Sequence, residues 1–210
     1  MSGTAVAVLA GGRGSNFEAL VRGDTGDGRV TLLLSDNPEA PVLARAREIG
    51  VEGRYIDPGP YRTRFGLREE GDWAGFLMDR GIGLVCLAGL MRIIKGPLLD
   101  AFEGRIMNIH PSLLPAFPGL EPQRKALEHG VKVSGCTVHY VDRGTDTGPI
   151  ILQAPVPVLP GDTPETLSER ILAEEHRIYP QAVKLHCAGR LSRRGRRVTA
   201  LEDSAHLRDI

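Results

Sequence analysis

Short apolar runs, without the polar alternation of a half-exposed strand, recur through the first half of this chain. Residues 5–10 (AVAVLA) and 30–35 (VTLLLS) are two of them, a short strand follows near 53–55, and another run occupies 83–87. Helical patterns lie between them, one beginning near Asn16, one over residues 40–49 and one from about Leu67 to Arg80. A strand that is apolar on both faces must be covered on both, and strand–helix–strand alternation supplies the cover. The expected fold class is therefore α/β: a mostly parallel, twisted, Rossmann-like sheet with helices on both faces. A fifth strand is expected over residues 105–110.

After Gly130 the pattern changes. Residues 133–141 and 150–158 alternate, and the stretch 142–149 between them reads as a hairpin loop, so antiparallel strands should extend the sheet in the C-terminal half. Thr163, Pro164 and Glu165 form a helix start, with Thr163 as the cap and Pro164 in the first turn; that helix should run to about Leu185. The basic tail from Arg190 to Arg197 is expected to be a solvated hairpin, because no aromatic side chains interleave its arginines for base stacking.

A chain of 210 residues can bury one sizeable core, so residues 1–210 are expected to form a single domain. Lysine plus arginine and aspartate plus glutamate balance at 26 each, which leaves no global field to recruit nucleic acid or an anionic membrane. Cys86, Cys136 and Cys187 are sparse and far apart, fitting a reducing compartment rather than a disulfide framework or a zinc knuckle. The first residues lack a basic signal region, and the longest apolar run, near 84–90, is too short to span a bilayer. A soluble, cytoplasmic protein is expected, either monomer or homodimer.

Residues 108–115 (NIHPSLLP) carry the most chemistry. Pro111 and Pro115 remove two backbone donors and push His110 and Leu114 towards extended geometry. Asn108 and His110 therefore sit two apart at a strand end, with side chains on one face. An amide that can donate to an oxyanion beside a ring that can carry a proton suits acyl-type transfer. A capping Asn and an ordinary buried His would give the same letters. Residues 11–16 (GGRGSN) form a glycine loop between the first strand and first helix. There the amides and hydroxyl around Gly14, Ser15 and Asn16 could hold a single terminal phosphate. Phe17 stands where the third glycine of a dinucleotide fingerprint would be, and no P-loop lysine follows. A tight turn with an Asn cap is the alternative. Asp146, in the Gly/Thr-rich loop 144–149, could return over the strand ends; beside His110 it would favour the charged imidazole and orient the ring. It could also be only a turn-forming Asp. His139 alternates with core-facing positions and reads as structural. His110, His139 and Asp146 lack metal-ligand spacing, so no metal is expected.

Taken together, Asn108-x-His110 with Pro111–Pro115, Pro118-Gly119 and Asp146-x-Gly148-Pro149 resemble the folate-dependent formyltransferases. Four further features resemble the branch that formylates a glycyl ribonucleotide: the Gly14-Ser15-Asn16 loop, residues 88–93 (AGLMRI), residues 174–180 (EEHRIYP), and the chain length. The resemblance covers roughly residues 5–200. It implies transfer of a formyl group from the co-substrate 10-formyltetrahydrofolate to the amine of glycinamide ribonucleotide in de novo purine biosynthesis. Asn108, His110 and Asp146 would be catalytic. Gly12, Arg13, Gly14, Ser15 and Asn16 would hold the substrate phosphate, and Glu175 the ribose. Met91, Arg92, Ile93 and Ile94, with Val141, Asp142, Arg143, Gly144 and Thr145, would line the folate pocket. A nucleotide-phosphate half (about 1–100) would join a folate and catalytic half (about 101–200). Glu121-Pro122-Gln123 departs from the family's commoner pattern of histidines and a threonine, and no folate-glutamate contact is assigned to the loop 57–68. Alternatives are the 10-formyltetrahydrofolate hydrolases, which usually carry an N-terminal regulatory domain, and the transfer-RNA formyltransferases, which usually add a C-terminal barrel. A non-catalytic nucleotide-binding protein on the same fold is a third.

Overall fold

The computed structural model describes residues 3–201. Strands β1 (Thr4–Leu9), β2 (Gly28–Ser35), β3 (Glu52–Tyr55), β4 (Leu84–Leu87) and β5 (Ile106–His110) pair in parallel. Strands β6 (Val133–Tyr140) and β7 (Ile150–Pro157) join antiparallel. A hairpin of β8 (Leu191–Arg194) and β9 (Arg197–Ala200) closes the edge, where Arg197 of β9 pairs in parallel with Ile150 of β7. The sheet order is β3-β2-β1-β4-β5-β6-β7-β9-β8. The basic tail thus forms the expected hairpin, and its second strand is tied to the sheet edge.

Successive residues of β1 feed two different cores. Val6 and Val8 pack with Phe17, Leu20 and Tyr179 on one face, while Ala7 and Leu9 pack with Trp73, Leu77, Leu98 and Phe102 on the other. This two-sided burial is why the central strands carry no polar alternation, and each large side chain so buried contributes about 1.5–3 kcal/mol. The covering helices are α1 (Ser15–Arg22), α2 (Pro41–Ile49), α3 (Leu67–Asp79), α4 (Pro97–Ala101), α5 (Pro122–Glu128) and α6 (Pro164–Cys187). The short helices α4 and α5 are additions to the sequence reading. Each begins with a proline in its first turn, and each is too short for its apolar residues to display a 3.6-residue period. Helix α6 starts as expected, since the Thr163 hydroxyl accepts from the Thr166 amide and the Thr166 hydroxyl accepts from the Thr163 amide.

Chain order reverses beside β1, with β2 on one side and β4 on the other. A crevice opens at such a switch point, at the carboxyl ends of the strands, and the glycine loop after β1 enters it. Gly14 caps α1 at φ +83°, and a Cβ there would lie 2.4 Å from Cγ2 of Val42. Only glycine fits both the backbone angle and the approach. On the far side, α6 is fixed to the sheet by Tyr179. This residue is fully buried, and its hydroxyl lies 3.0 Å from the Leu87 carbonyl and 3.1 Å from that of Met107. The one phenol hydrogen is shared between two strand carbonyls at the crevice floor. Tyr179→Phe leaves them buried without this donor, and should lower stability by about 1–3 kcal/mol, read as a fall in urea midpoint with unchanged slope.

Candidate active site

A cavity of about 560 Å³ lies at the carboxyl ends of β4 and β5. Asn108 and His110 both line it, as their spacing along β5 requires. Asp146 reaches the same cavity from the loop joining β6 to β7. Its backbone is left-handed at φ 54°, and its Oδ2 accepts from the Gly119 amide at 2.8 Å. That loop begins with a tight crossing, since a Cβ on Gly148 would lie 1.7 Å from the carbonyl oxygen of Tyr140. Residues separated by 36 or more positions are therefore brought together by the β6–β7 return.

Both nitrogens of the buried His110 ring face acceptors. Nδ1 is 3.4 Å from Asp146 Oδ2, and Nε2 donates to the Phe117 carbonyl at 3.0 Å. The ring is thus held from both sides, by the β6–β7 loop and by the loop after β5. His139, expected to be structural, is the residue that the sequence reading missed. It also lines the cavity: Nε2 is 3.2 Å from the Asn108 amide nitrogen and 3.8 Å from Asp146 Oδ1. Burial pushes its pKa down, opposed by the Tyr140 carbonyl and then by Asp146. The signal that could have found it is strand register, because His139 stands opposite Asn108 in the β5–β6 ladder.

The nucleotide-side residues divide. Asn16 and Glu175 line the cavity and are bonded to each other, Asn16 Nδ2 donating to Glu175 Oε2 at 2.7 Å. The Oδ1 of Asn16 is buried with no hydrogen-bond partner among the described residues. Gly12, Arg13, Gly14 and Ser15 lie outside the cavity lining, in the loop and first turn that precede Asn16. On the other side Met91, Arg92, Ile93, Ile94, Val141, Asp142, Gly144 and Thr145 all line the cavity. Met91, at 68% exposure, and Leu120, at 70%, leave its rim apolar.

Of the two arginines expected to line the cavity, one does and one does not. Arg143 is not brought to the cavity: its guanidinium turns outward to Asp100 at 2.7 Å and to the Lys95 carbonyl at 3.1 Å. Arg92 lines the wall, but its guanidinium is already committed. Its Nε donates to Asp36 at 2.7 Å, and its Nη1 donates to the carbonyls of Tyr61 and Arg64. With the Ile93 amide donating to the Thr63 carbonyl at 2.9 Å, it pins the loop before α3 against the cavity. Gly119, Leu120, Glu121, Pro122 and Gln123 complete the wall, and Glu121 adopts φ 54° at the start of α5. Among the described residues no cluster of three or more His, Cys, Asp or Glu is arranged to hold a metal ion.

Burial raises the pKa of Glu175, and the bond from Asn16 opposes that shift. The folded protein therefore holds this proton more tightly than the unfolded chain does. The carboxyl favours folding most at acid pH and increasingly opposes it as pH rises through its raised folded value. Glu175→Gln keeps the shape and an acceptor for Asn16. Its stability relative to the parent should climb from mildly acid to neutral buffer, and a difference that stays flat across urea titrations at several pH values would contradict this.

The profile of the formyl transferase family matches residues 4–183. Phosphoribosylglycinamide formyltransferase of Bacillus subtilis is 43% identical over 85% of this chain and 92% of its own length. The trifunctional purine biosynthetic protein adenosine-3 of Drosophila pseudoobscura pseudoobscura is 44% identical over 90% of this chain, which spans only 14% of that protein. The crystal structure of glycinamide ribonucleotide transformylase 1 from Symbiobacterium toebii superposes with a TM-score of 0.90 at 54% identity, covering 96% of this chain and 95% of that one. The fold, with its parallel series and antiparallel C-terminal strands, is shared with that structure. The chain belongs to the formyl transferase family.

Proposed function

We propose that this chain moves the formyl group of 10-formyltetrahydrofolate to the primary amine of glycinamide ribonucleotide, in de novo purine biosynthesis. The observation that carries the reading is the convergence of Asn108, His110 and Asp146 on one cavity, with Asp146 Oδ2 3.4 Å from His110 Nδ1. The relatives' activities and the phosphate-ready loop before α1 support it. The phosphate would rest on the amides of Gly12, Arg13, Gly14, Ser15 and Asn16, where the α1 dipole favours an anion. The ribose hydroxyls would bond to Glu175 and to the unpartnered Oδ1 of Asn16. The pterin would enter between Met91–Ile94 and Val141–Asp146, against largely apolar walls. The nucleotide thus meets mainly the first half of the chain, and the folate mainly the second. Both substrates are small molecules of the cytoplasm, and no described helix is long and apolar enough to cross a membrane.

The chemistry follows from what each group can donate. The amine lone pair attacks the formyl carbon, a new C–N bond forms, and the carbonyl π pair moves to oxygen. The Asn108 amide donates to that oxyanion, at about 3–4 kcal/mol for a well-placed donor, and the charge of the His110 imidazolium beside it adds electrostatic stabilisation. Asp146 holds the imidazolium and takes up the proton lost by the attacking nitrogen. A proton then reaches N10 of the folate, the C–N10 bond breaks, and the oxyanion collapses to the product formamide. Such proton transfer is worth about 10²–10⁴-fold.

Folate absorbance, followed with and without the glycyl nucleotide, tests the reaction. Donor consumption should require the nucleotide; consumption by water alone would make this a hydrolase. Asn108→Ala should lower kcat by about 10²–10³-fold with little change in either KM. A pure KM effect would reduce Asn108 to a substrate-positioning group. Asp146→Asn should lose turnover across the pH range while still binding the nucleotide, and near-parental turnover would remove the carboxylate from the mechanism.

A further inference from the structure

We infer that His139 sets the orientation of the Asn108 amide, as a neutral ring protonated on Nδ1, and so decides whether that amide can donate to the reacting carbonyl. The inference rests on the formyl-transfer reading above, because it gives His139 a part in that reaction without contact with either substrate. It makes His139 a positioning residue.

Three features of the fold converge on this one contact. Asn108 and His139 are direct cross-strand partners in the β5–β6 ladder, so their side chains share a face and meet at short range. The other side of β6 carries an irregularity: its pairing with β7 shifts register between Val138 and His139. The residue without a partner there is Ile151 of β7, so the irregularity falls on β7 and leaves His139 in regular register opposite Asn108. The third feature is the hydrogen-bond bookkeeping of the ring. Nδ1 lies 2.9 Å from the Tyr140 carbonyl oxygen, which can only accept, so the proton sits on Nδ1. Nε2 then carries a lone pair, and the Asn108 atom 3.2 Å away must be the amide nitrogen.

That assignment has a mechanistic consequence. The Asn108 amide group has two hydrogens. One is held by His139, which leaves the second for the formyl oxygen. Turning the amide over would set its oxygen against the Nε2 lone pair, so the neutral ring excludes that arrangement. A ring protonated on both nitrogens would reverse the preference. It would present N–H to the Asn108 amide nitrogen and draw Asp146 Oδ1, now 3.8 Å away, from its place beside His110. The charged and titratable groups facing His139 are His110 from β5 and Asp146 and Asp142 from the β6–β7 loop. Burial keeps the ring neutral against the pull of the two carboxylates.

The test combines a spectroscopic reading of the unmodified chain with four variants. Histidine ¹⁵N NMR at neutral pH should show residue 139 with Nδ1 protonated and Nε2 bare; the opposite tautomer, or an imidazolium, would overturn the inference. His139→Leu removes the acceptor at similar volume and should lower kcat by about 10²-fold with both KM values nearly unchanged. In His139→Gln the side-chain oxygen can accept from Asn108, so this variant should recover most of that loss. Asn108→Ala combined with His139→Leu should be no slower than Asn108→Ala alone to within about threefold, because both remove the same donor. Unchanged kcat in His139→Leu, equal losses in the Leu and Gln variants, or additive losses in the double variant would each refute it. If His139→Leu does not fold, the wild-type tautomer and His139→Gln decide the question. Wild-type protein that shows the expected tautomer but transfers no formyl group would sink the functional reading and leave the Asn108–His139 contact standing.

Discussion

The antiparallel docking of β6 onto β5 is the constraint on which the rest of the site depends. The first five strands are parallel, and each of the first four must be followed by a crossover that carries the chain back to the other end of the sheet. Because β6 enters antiparallel, its paired stretch runs from Thr137, opposite His110, to Tyr140, opposite Met107. That pairing puts His139 opposite Asn108, and the loop that leaves β6 carries Asp146 back to His110. The same pairing sets Thr137 opposite His110. The Thr137 hydroxyl bonds to the Ser112 carbonyl and the Leu114 amide, shaping the loop whose Phe117 carbonyl meets the His110 ring.

The site is assembled at the expense of local stability. Phe117, Glu121 and Asp146 are the non-glycine residues with left-handed backbones among those described, and Glu121 and Asp146 line the cavity while Phe117 bonds the imidazole. Such angles cost on the order of 1 kcal/mol each and persist only where the surroundings enforce them. Glu175 adds a buried carboxyl whose ionised form the protein disfavours. The two-sided core supplies the surplus: β1 alone buries four consecutive side chains completely, in two layers. Rigid strands below and strained, polar loops above follow from one arrangement, with the cavity at the carboxyl ends of β4 and β5.

Much of this was legible in the residues. The all-apolar runs gave the parallel half because two-sided burial leaves a one-dimensional signature. The alternation after Gly130 marked the antiparallel half, but only β7 alternates in burial; β6 is buried on both faces from Ser134 to Tyr140. Asn108 and His110 were readable because a strand places alternate residues on one face. The short helices α4 and α5 left no periodic trace, and their prolines alone were ambiguous. Arg92 and Arg143 show a different limit. A long cation can satisfy itself locally, and only the positions of Asp36, Tyr61, Arg64, Lys95 and Asp100 reveal that both guanidiniums are spent away from a ligand.

The amino-acid order by itself determined the fold class, the glycine loop that only Gly14 can close, and the candidate groups of the site. These depend on short-range sterics and on periodicity, which are written within a few residues of each other. Whether Asp146 was a turn former or a partner of His110, and whether His139 was core or cavity wall, lay with the tertiary structure. Both depend on the register between β5 and β6. Register is fixed by the collective fit of many side chains across the sheet, so no local stretch of sequence contains it.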